Sequence, residues 1–537
     1  MTVDITGQER ANNDTNRMSR CCSSLPGKRT RGHQDIMPVE RQPHQSNQAQ
    51  TTTIKQVEYT GEPAYDVVVV GAGAAGLAAT RLLTQHGLSV ALIEARERIG
   101  GRIRTIRPAE SAIPLELGAS FVHGCPPETL RLAHEAGVTL YELDGQPVSI
   151  GRSQGQQDQH GNDEESEDEE GDEENPILAS LATYKGEDMA LDAYIATYFS
   201  APHWEEARRW TRHYVAGFDA ADPATVSVRW LAQSELASER IRGDRQFFVL
   251  DGYDRLMQHI LNQCDSTRLT LHLRRMVQRI AWTPGQVRVE TIAAPGEQGQ
   301  GDGLPDPMTI TARRAIVTIP LSLLKAPQGT PGSIAFDPAP PGFTQALAGL
   351  AMGEVVRVVL RLRERFWDRD VLAVVASGAS VIRHGSLHEP HMSFLFSEQQ
   401  MMPTWWTNYP LLVPLLTGWV GGPQAALLAK QSDEEITRTA ITSLAAIAGW
   451  SFDAMQAEVV AVYLHNWSKD IYTRGAYSYL TVGGMEGVAA LAQPFADTLY
   501  FAGEATNTDG NAGTVHGALA TGERAAQQII EALSPRL

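Results

Sequence analysis

Cysteine is scarce in this chain: there are four among 537 residues, at Cys21, Cys22, Cys125 and Cys264. Two of them are adjacent and the set forms no disulfide framework, so a reducing compartment, the cytoplasm, is expected. No apolar run approaches the roughly eighteen residues that a membrane-spanning helix needs, so no transmembrane anchor is expected. The first residues lack the apolar centre of a secretory signal. Positive charge is also in deficit: Lys and Arg number 45 against 63 Asp and Glu, a net charge of −18. That balance argues against a nucleic-acid partner and favours cationic ligands. Much of it is local, since ten acids fall in the twelve residues from Asp163 to Glu174 and the remainder carries −8. No internal repeat recurs at a fixed period.

Aliphatic residues are sparse over residues 1 to 60, which are rich in Asn, Gln, Thr, Ser and Arg. Such a composition cannot bury enough surface to offset chain entropy, and a disordered arm is expected there. Its Lys28/Arg29/Arg31 cluster reads as part of a solvated tail, with targeting as the other reading. Residues 151–176 read as an acidic disordered loop, or less simply as a lip that attracts polyamines.

Against these absences, Tyr65 to Glu94 is dense in signal. Four valines, Val67 to Val70, suit a strand buried on both faces of a parallel sheet. Gly71-Ala-Gly73-Ala-Ala75-Gly76 follows, then a helical pattern through Leu77, Leu82 and Leu83 to Gly87. A second short strand, Val90 to Ile93, ends on Glu94, about 20 residues beyond the glycines. Gly71 permits a tight turn, Gly73 lets backbone approach a pyrophosphate, and Gly76 lets the helix pack on the sheet. The helix N-terminus faces the phosphates and Glu94 accepts from the adenosine ribose. This unit is expected to bind a dinucleotide.

Downstream, Leu178 to Glu239 reads as helical, with Trp204, Trp210 and Trp230 as core anchors. Strands are expected over Leu269–Leu273, Val277–Trp282, Ala315–Pro320, Met352–Leu362 and Leu411–Trp419. Gly296–Pro307 reads as a loop and Glu434–Ala448 as an amphipathic helix. A strand at Thr498–Ala502 precedes Gly503-Glu504, and Gly513-Thr514-Val515 leads into a helix running to Leu533. The fold class is α/β: a Rossmann-type dinucleotide-binding domain with an inserted α+β substrate domain of mixed sheet and helices. The expected dinucleotide-binding domain is 61–145, 244–325 and 466–537, and the substrate domain 146–243 and 326–465.

The extension Glu94-Ala-Arg96-Glu-Arg98-Ile-Gly100-Gly101-Arg102 resembles that of the two-dinucleotide-binding-domain flavoproteins, which implies FAD. Arginine there suits a bidentate contact to phosphate. Further blocks follow in order: Leu117-Gly118-Ala119-Ser120-Phe121-Val122-His123-Gly124, Ile319-Pro320 to Lys325, Phe366-Trp367, Gly475-Ala476-Tyr477-Ser478-Tyr479 and Phe501-Ala-Gly503-Glu504. From residue 63 to 533 the chain resembles the flavin-containing amine oxidases: monoamine oxidases, including bacterial-type ones, polyamine oxidases and lysine-specific histone demethylases.

That resemblance implies that Glu94 holds the ribose and Arg102, with Arg96 nearby, the pyrophosphate. It places Gly118 to Phe121 along the flavin ring and Val277 at the adenine. Glu504 goes to the ribityl–pyrophosphate region, and Trp467, Gly503, Gly513, Thr514 and Val515 to the flavin side. Tyr477 becomes the aromatic face that guides an amine, though alternating Tyr477 and Tyr479 also suit one face of a strand. Thr514 occupies the place of a second aromatic, as in the demethylases. Ala476 stands where mitochondrial monoamine oxidases carry their flavin-bonded cysteine, so the FAD is expected to be non-covalent. His123 either sits near the substrate nitrogen or hydrogen-bonds its loop. Arg357 stands where the family has a lysine that holds a water near the flavin, and Lys325 is no substitute.

The implied activity is FAD-dependent oxidation of a primary or secondary amine to an aldehyde, with O2 reduced to H2O2. The chain is expected to be a monomer or homodimer. An L-amino-acid oxidase is the nearest rival, opposed by Phe121-Val-His123 where such enzymes place a carboxylate-binding arginine. A desaturase or porphyrinogen-type oxidase, an amine dehydrogenase, a chromatin demethylase and a weak binding protein complete the alternatives.

Overall fold

The four valines explain the centre of the molecule. In the computed structural model, which describes residues 64–150, 175–294, 307–368, 381–383 and 392–533, strand Ala64–Val70 lies inside an eight-stranded sheet. Val67 and Val69 join one apolar cluster and Val68 and Val70 another, all at most 3 % exposed. Both faces are therefore covered, as a continuous apolar run requires. The strand pairs in parallel with Val90–Ile93 on one side and Met308–Val317 on the other. Leu269–His272 and Leu499–Phe501 extend the parallel part. Arg275–Thr283, Gln286–Ala293 and the first half of Met308–Val317 form an antiparallel meander on the same sheet, closed by Ala335–Asp337.

Helix Ala74–Gln85 leaves the first strand and packs along Val515–Leu533. The approach is close because the crossing residue is glycine: a Cβ on Gly522 would lie 2.1 Å from the carbonyl oxygen of Ala75. The C-terminal helix is thus tied to the first glycine loop.

A second, seven-stranded sheet draws on Gln146–Ile150 and five strands between Val355 and Leu464, with Val381–Arg383 at its edge. Helix Asp433–Ala448 covers its apolar face. Ser432 and Glu435 form a capping box at the start of that helix, and Gly449 ends it in the left-handed region at φ 70°. A three-stranded sheet, Phe121–His123, Gln246–Val249 and Leu140–Glu142, completes the set around the site.

Three sequence expectations shift. Of the three tryptophans only Trp230 is core, at 3 % exposure; Trp204 and Trp210 are half-buried. Trp210 instead stacks on Tyr214 at 5.2 Å, and Tyr214 on Phe218 at 5.3 Å, one turn apart along helix Glu205–Phe218. Strand Met352–Leu362 is broken at Gly353, where the chain passes from a short pairing with Ser478–Leu480 into the seven-stranded sheet. Strand Leu411–Trp419 begins only at Leu415, after Pro414, which has no N–H for a ladder. The expected arm over residues 1–60, the acidic run 163–174 and most of the loop 296–307 lie outside the described residues. Among the described residues no helix is long and apolar enough to cross a membrane.

Candidate active site

The glycine loop has the geometry its sequence implies. Gly71 adopts φ +104°, and a Cβ on Gly76 would fall 1.8 Å from the Gly71 carbonyl oxygen, so neither position admits a side chain. A Cβ on Gly73 would meet nothing within 4 Å, so the loop opens onto space there. Gly73 begins helix Ala74–Gln85, and no side chain caps that helix. Uncapped N–H groups beside open space are what a pyrophosphate requires. Gly100 donates to the Ala72 carbonyl at 2.8 Å, and Gly101, at φ +58°, folds over Gly73. The two glycine blocks therefore build one cradle, and the cradle fits a dinucleotide.

Glu94 braces it, its carboxylate accepting from the N–H of Ala72 and of Arg96, each at 2.8 Å. The backbone of Arg274 and Arg275 bonds alongside, to the carbonyls of Arg96 and Glu94. Val277 follows two residues on and is 5 % exposed. From the far end of the chain, Glu504 reaches the cradle. Its buried carboxylate takes Arg102 at 2.7 Å on one oxygen, and the N–H groups of Ser478 and Gly513 on the other. Arg102 also donates to the Ala476 carbonyl at 2.7 Å. Arg102 and Glu504, 402 residues apart in sequence, thus meet at one charged junction.

Gly118 to Phe121 line the next wall. A Cβ on Gly118 would lie 1.9 Å from the Arg102 carbonyl oxygen and 3.1 Å from the ring of Trp467. Trp467 donates its indole N–H to Leu117 at 2.7 Å, and Ala119 donates to Arg102. Ser120 is buried, and Phe121 packs on Phe248 at 4.6 Å. Arg357 donates to the Gly118 carbonyl at 2.5 Å and lies 5.4 Å from the ring centre of Trp406. It is 6 % exposed, and its Nε has no hydrogen-bond partner. Burial lowers the guanidinium to about 10, against the opposing pull of Glu116. Glu116, in turn, is pushed up to about 7 by burial, although Thr105 and the Tyr253 N–H both donate to it. Arg357 and Glu116 line one small pocket together with Tyr141, Trp406, Asn408 and Thr417. Lys325 is elsewhere, bonded to the Leu350 carbonyl.

Tyr477 is fixed from three sides. Its backbone carbonyl accepts from Gly353 at 2.7 Å, its neighbour Ala476 donates to Gly353 at 2.8 Å, and its phenol donates to Phe218 at 2.6 Å. Gly513 leaves room for the ring: a Cβ there would stand 3.2 Å from Cδ2 of Tyr477. Beyond Phe218 comes Asp219, half-buried, its carboxyl held well above the usual range by burial and by Glu235. Burial and the charge of Asp219 both push the Tyr477 phenol up. His123 sits edge-on to Phe218 at 5.5 Å, and burial lowers it to about 4, so the ring is neutral at pH 7. Its Nδ1 lies buried with no hydrogen-bond partner. The hydroxyl of Thr514 accepts from Gly517 and donates to Asn511, so it caps the C-terminal helix that Val515 begins.

Phe218, Asp219, Glu116 and Glu235 escaped the sequence reading. Phe218 and Asp219 end a helix with no motif of their own. Glu116, two residues before Gly118, was the nearest to legible, since an acid entering a buried turn needs partners.

Comparison with known proteins places this geometry. Residues 74–530 match the family model described as flavin containing amine oxidoreductase. Polyamine oxidase 2 of Arabidopsis thaliana is 28 % identical over 493 residues, covering 86 % of this chain and 87 % of that protein. Lysine-specific histone demethylase 1 homolog 3 of the same plant is 26 % identical over 87 % of this chain, but over only 30 % of its own length. Among solved structures, putrescine oxidase bound to putrescine superposes with TM-score 0.64 at 23 % identity, covering 87 % of this chain and 99 % of the other. Cyclohexylamine oxidase from Brevibacterium oxydans IH-35A gives 0.65 at 21 % identity, covering 88 % and 100 %. By that match over residues 74–530, the chain belongs to the flavin-containing amine oxidoreductases, enzymes that work with FAD.

Proposed function

We propose that this enzyme oxidises a primary or secondary amine and returns the electrons to O2, giving an aldehyde, ammonia or a smaller amine, and H2O2. FAD, when bound, supplies the two-electron acceptor for the amine α-carbon and passes those electrons to oxygen. Under this reading the eight-stranded sheet carries the cofactor and the seven-stranded sheet the substrate wall. The observation that carries it is the Tyr477–Phe218–Asp219 corner: an aromatic face held by a backbone bond, beside a carboxyl. An aromatic quadrupole and an acid both attract an alkylammonium ion.

The residues divide the work. Tyr477 and Phe218 orient the amine, and the negative charge that Asp219 and Glu235 share draws it in as a cation. His123, neutral and with a buried Nδ1 that has no hydrogen-bond partner, gives the bound amine an uncharged neighbour and so favours its neutral form, the only one with the lone pair that expels a hydride. Arg357 stays charged and serves as a fixed donor, not as a base. Its contacts with Gly118, Trp406 and the charge of Glu116 also disfavour the amino-acid oxidase reading, which needs an arginine open to a carboxylate. The relatives' names point the same way: two of the proteins compared above are a polyamine oxidase and a putrescine oxidase.

Peroxide release from a panel of mono-, di- and polyamines and L-amino acids tests this reading. Peroxide with an amine supports it, and peroxide only with amino acids overturns it.

A further inference from the structure

Outside the substrate corner, one buried ionic chain has no place in the mechanism. Arg96 and Asp470 form an ion pair at 2.6 Å, each side chain 5 % exposed. The second oxygen of Asp470 meets Nε2 of His465 at 2.9 Å, and Nδ1 of His465 meets the guanidinium of Arg104 at 2.6 Å. An arginine can only donate, so Nδ1 must accept; Nε2 then carries the proton and donates to Asp470. The chain of contacts therefore holds His465 in one neutral tautomer.

Each end of this chain reaches the cradle. Arg96 follows Glu94, whose carboxylate it caps, and its guanidinium also bonds Thr473 and lies 5.2 Å from the ring centre of Tyr472. Arg104 belongs to the segment that follows Gly100, and its carbonyl accepts from Leu117. The His465 ring stands edge-on to Trp467 at 4.3 Å, and Trp467 both holds Leu117 and closes on Gly118. His465 and Asp470 thus touch two cofactor-side segments, the turn after Glu94 and the segment after Arg102, and reach the wall at Gly118 through Trp467.

We propose that His465 and Asp470 are positioning residues for FAD, a relay that sets Arg96 and Arg104 and with them the cradle, and that it works only while His465 is neutral. The inference rests on the placement of Arg96 at the cofactor. Protonating Nδ1 would set a cation against the Arg104 guanidinium and open that link. The groups facing His465 are Asp470, Arg104 and Arg96, with Glu94 and Tyr472 one contact further. Burial lowers His465, the Asp470 bond raises it in part, and the two arginines lower it again. The folded protein therefore favours the neutral ring. The contribution is complete above the unfolded value of about 6.5 and is lost as pH falls through the lowered folded value.

The test measures FAD retained by the holoenzyme after ultrafiltration, between about pH 5 and 8, together with melting of the apoprotein. His465→Gln keeps a donor for Asp470 and His465→Asn keeps an acceptor for Arg104, and neither titrates. The parent should lose FAD on the acid side in a step that both variants lack. His465→Ala and Asp470→Asn should bind FAD about tenfold more weakly at neutral pH, with holoenzyme melting lowered more than apoprotein melting. Identical pH profiles in the parent and His465→Gln overturn the proposal. So does apoprotein melting that falls as far as holoenzyme melting, because the pair is then only structural. Arg96→Ala separates the two levels. If it weakens FAD while the His465 variants do not, the relay alone is wrong; if it leaves FAD binding intact, the placement of Arg96 at the cofactor is wrong as well.

Discussion

The phenol of Tyr477 donates to the backbone carbonyl of Phe218 at 2.6 Å, and this bond joins two segments 259 residues apart. It fixes the aromatic face expected to guide the amine. Tyr477→Ala should raise the barrier to amine oxidation by about 1–2 kcal/mol, the size of one desolvated cation–π or stacking contact. Flavin content should stay at the parent level. Unchanged turnover with normal flavin would reduce Tyr477 to a sheet residue. Tyr477→Phe keeps the face and removes only the tether, so its loss should be smaller.

Ala476 gives the cofactor prediction. Its methyl group offers no sulfur for a covalent bond, and its carbonyl is engaged by Arg102. Acid precipitation should leave the yellow colour in the supernatant. Flavin that pellets with the protein would show a covalent link formed elsewhere.

These two residues show what was legible in the sequence. Gly71, Gly76 and Gly118 had to be glycine for reasons of local geometry, and local geometry is what spacing records. Val67–Val70 declared a strand covered on both faces. Glu504 was readable as a cofactor residue, yet its bridging of Arg102, Ser478 and Gly513 was not, because those bonds depend on how distant segments dock. The same holds for Asp219 and His465, whose chemistry comes from neighbours hundreds of residues away or from a buried arginine. Trp210 failed as a core anchor because a large ring with helical spacing suits a half-buried stack as well as a core.

Asp219 should influence which amines bind. Its carboxyl is held above the usual range, so its charge is lost progressively as pH falls, and KM for a cationic amine should rise toward acid. Asp219→Asn should raise KM for a diamine by about three- to tenfold, with kcat nearly unchanged and a flatter KM profile with pH. Equal KM values across pH for parent and variant would place Asp219 outside the substrate path.

Glu116 makes a prediction about stability. Its folded value, about 7, lies above the ordinary carboxylate value of 4.5, so folding favours the protonated form. The benefit is complete below the unfolded value and is lost as pH rises through about 7, where the buried group must ionise. Glu116→Gln keeps an acceptor for Thr105 and the Tyr253 N–H and cannot ionise. It should therefore gain on the parent above pH 7, by on the order of 1–2 kcal/mol. Melting curves across pH check it, and a variant that loses stability equally at every pH would show that both carboxylate oxygens are needed as acceptors.

Arg357 sets the most exposed prediction. The guanidinium is buried and lowered only to about 10, so it is a cation at any physiological pH and cannot act as a base. Its hold on the Gly118 carbonyl puts that charge beside the wall expected along the flavin ring, and its unpartnered Nε offers a further donor. A fixed positive charge near the ring favours electron transfer to oxygen, because it stabilises the anion that oxygen becomes. The oxygen half-reaction should therefore depend on Arg357 more than amine oxidation does. Rapid mixing separates the two: anaerobic amine bleaches the flavin, and oxygen is then added to the reduced enzyme. Arg357→Ala should slow the second step about tenfold or more while slowing the first by less; Arg357→Lys should recover part of the loss by restoring the charge. If bleaching collapses and reoxidation is untouched, Arg357 is binding the substrate, and L-amino acids become the compounds to try. If the parent itself reoxidises no faster than free flavin but reduces a dye readily, the enzyme is an amine dehydrogenase.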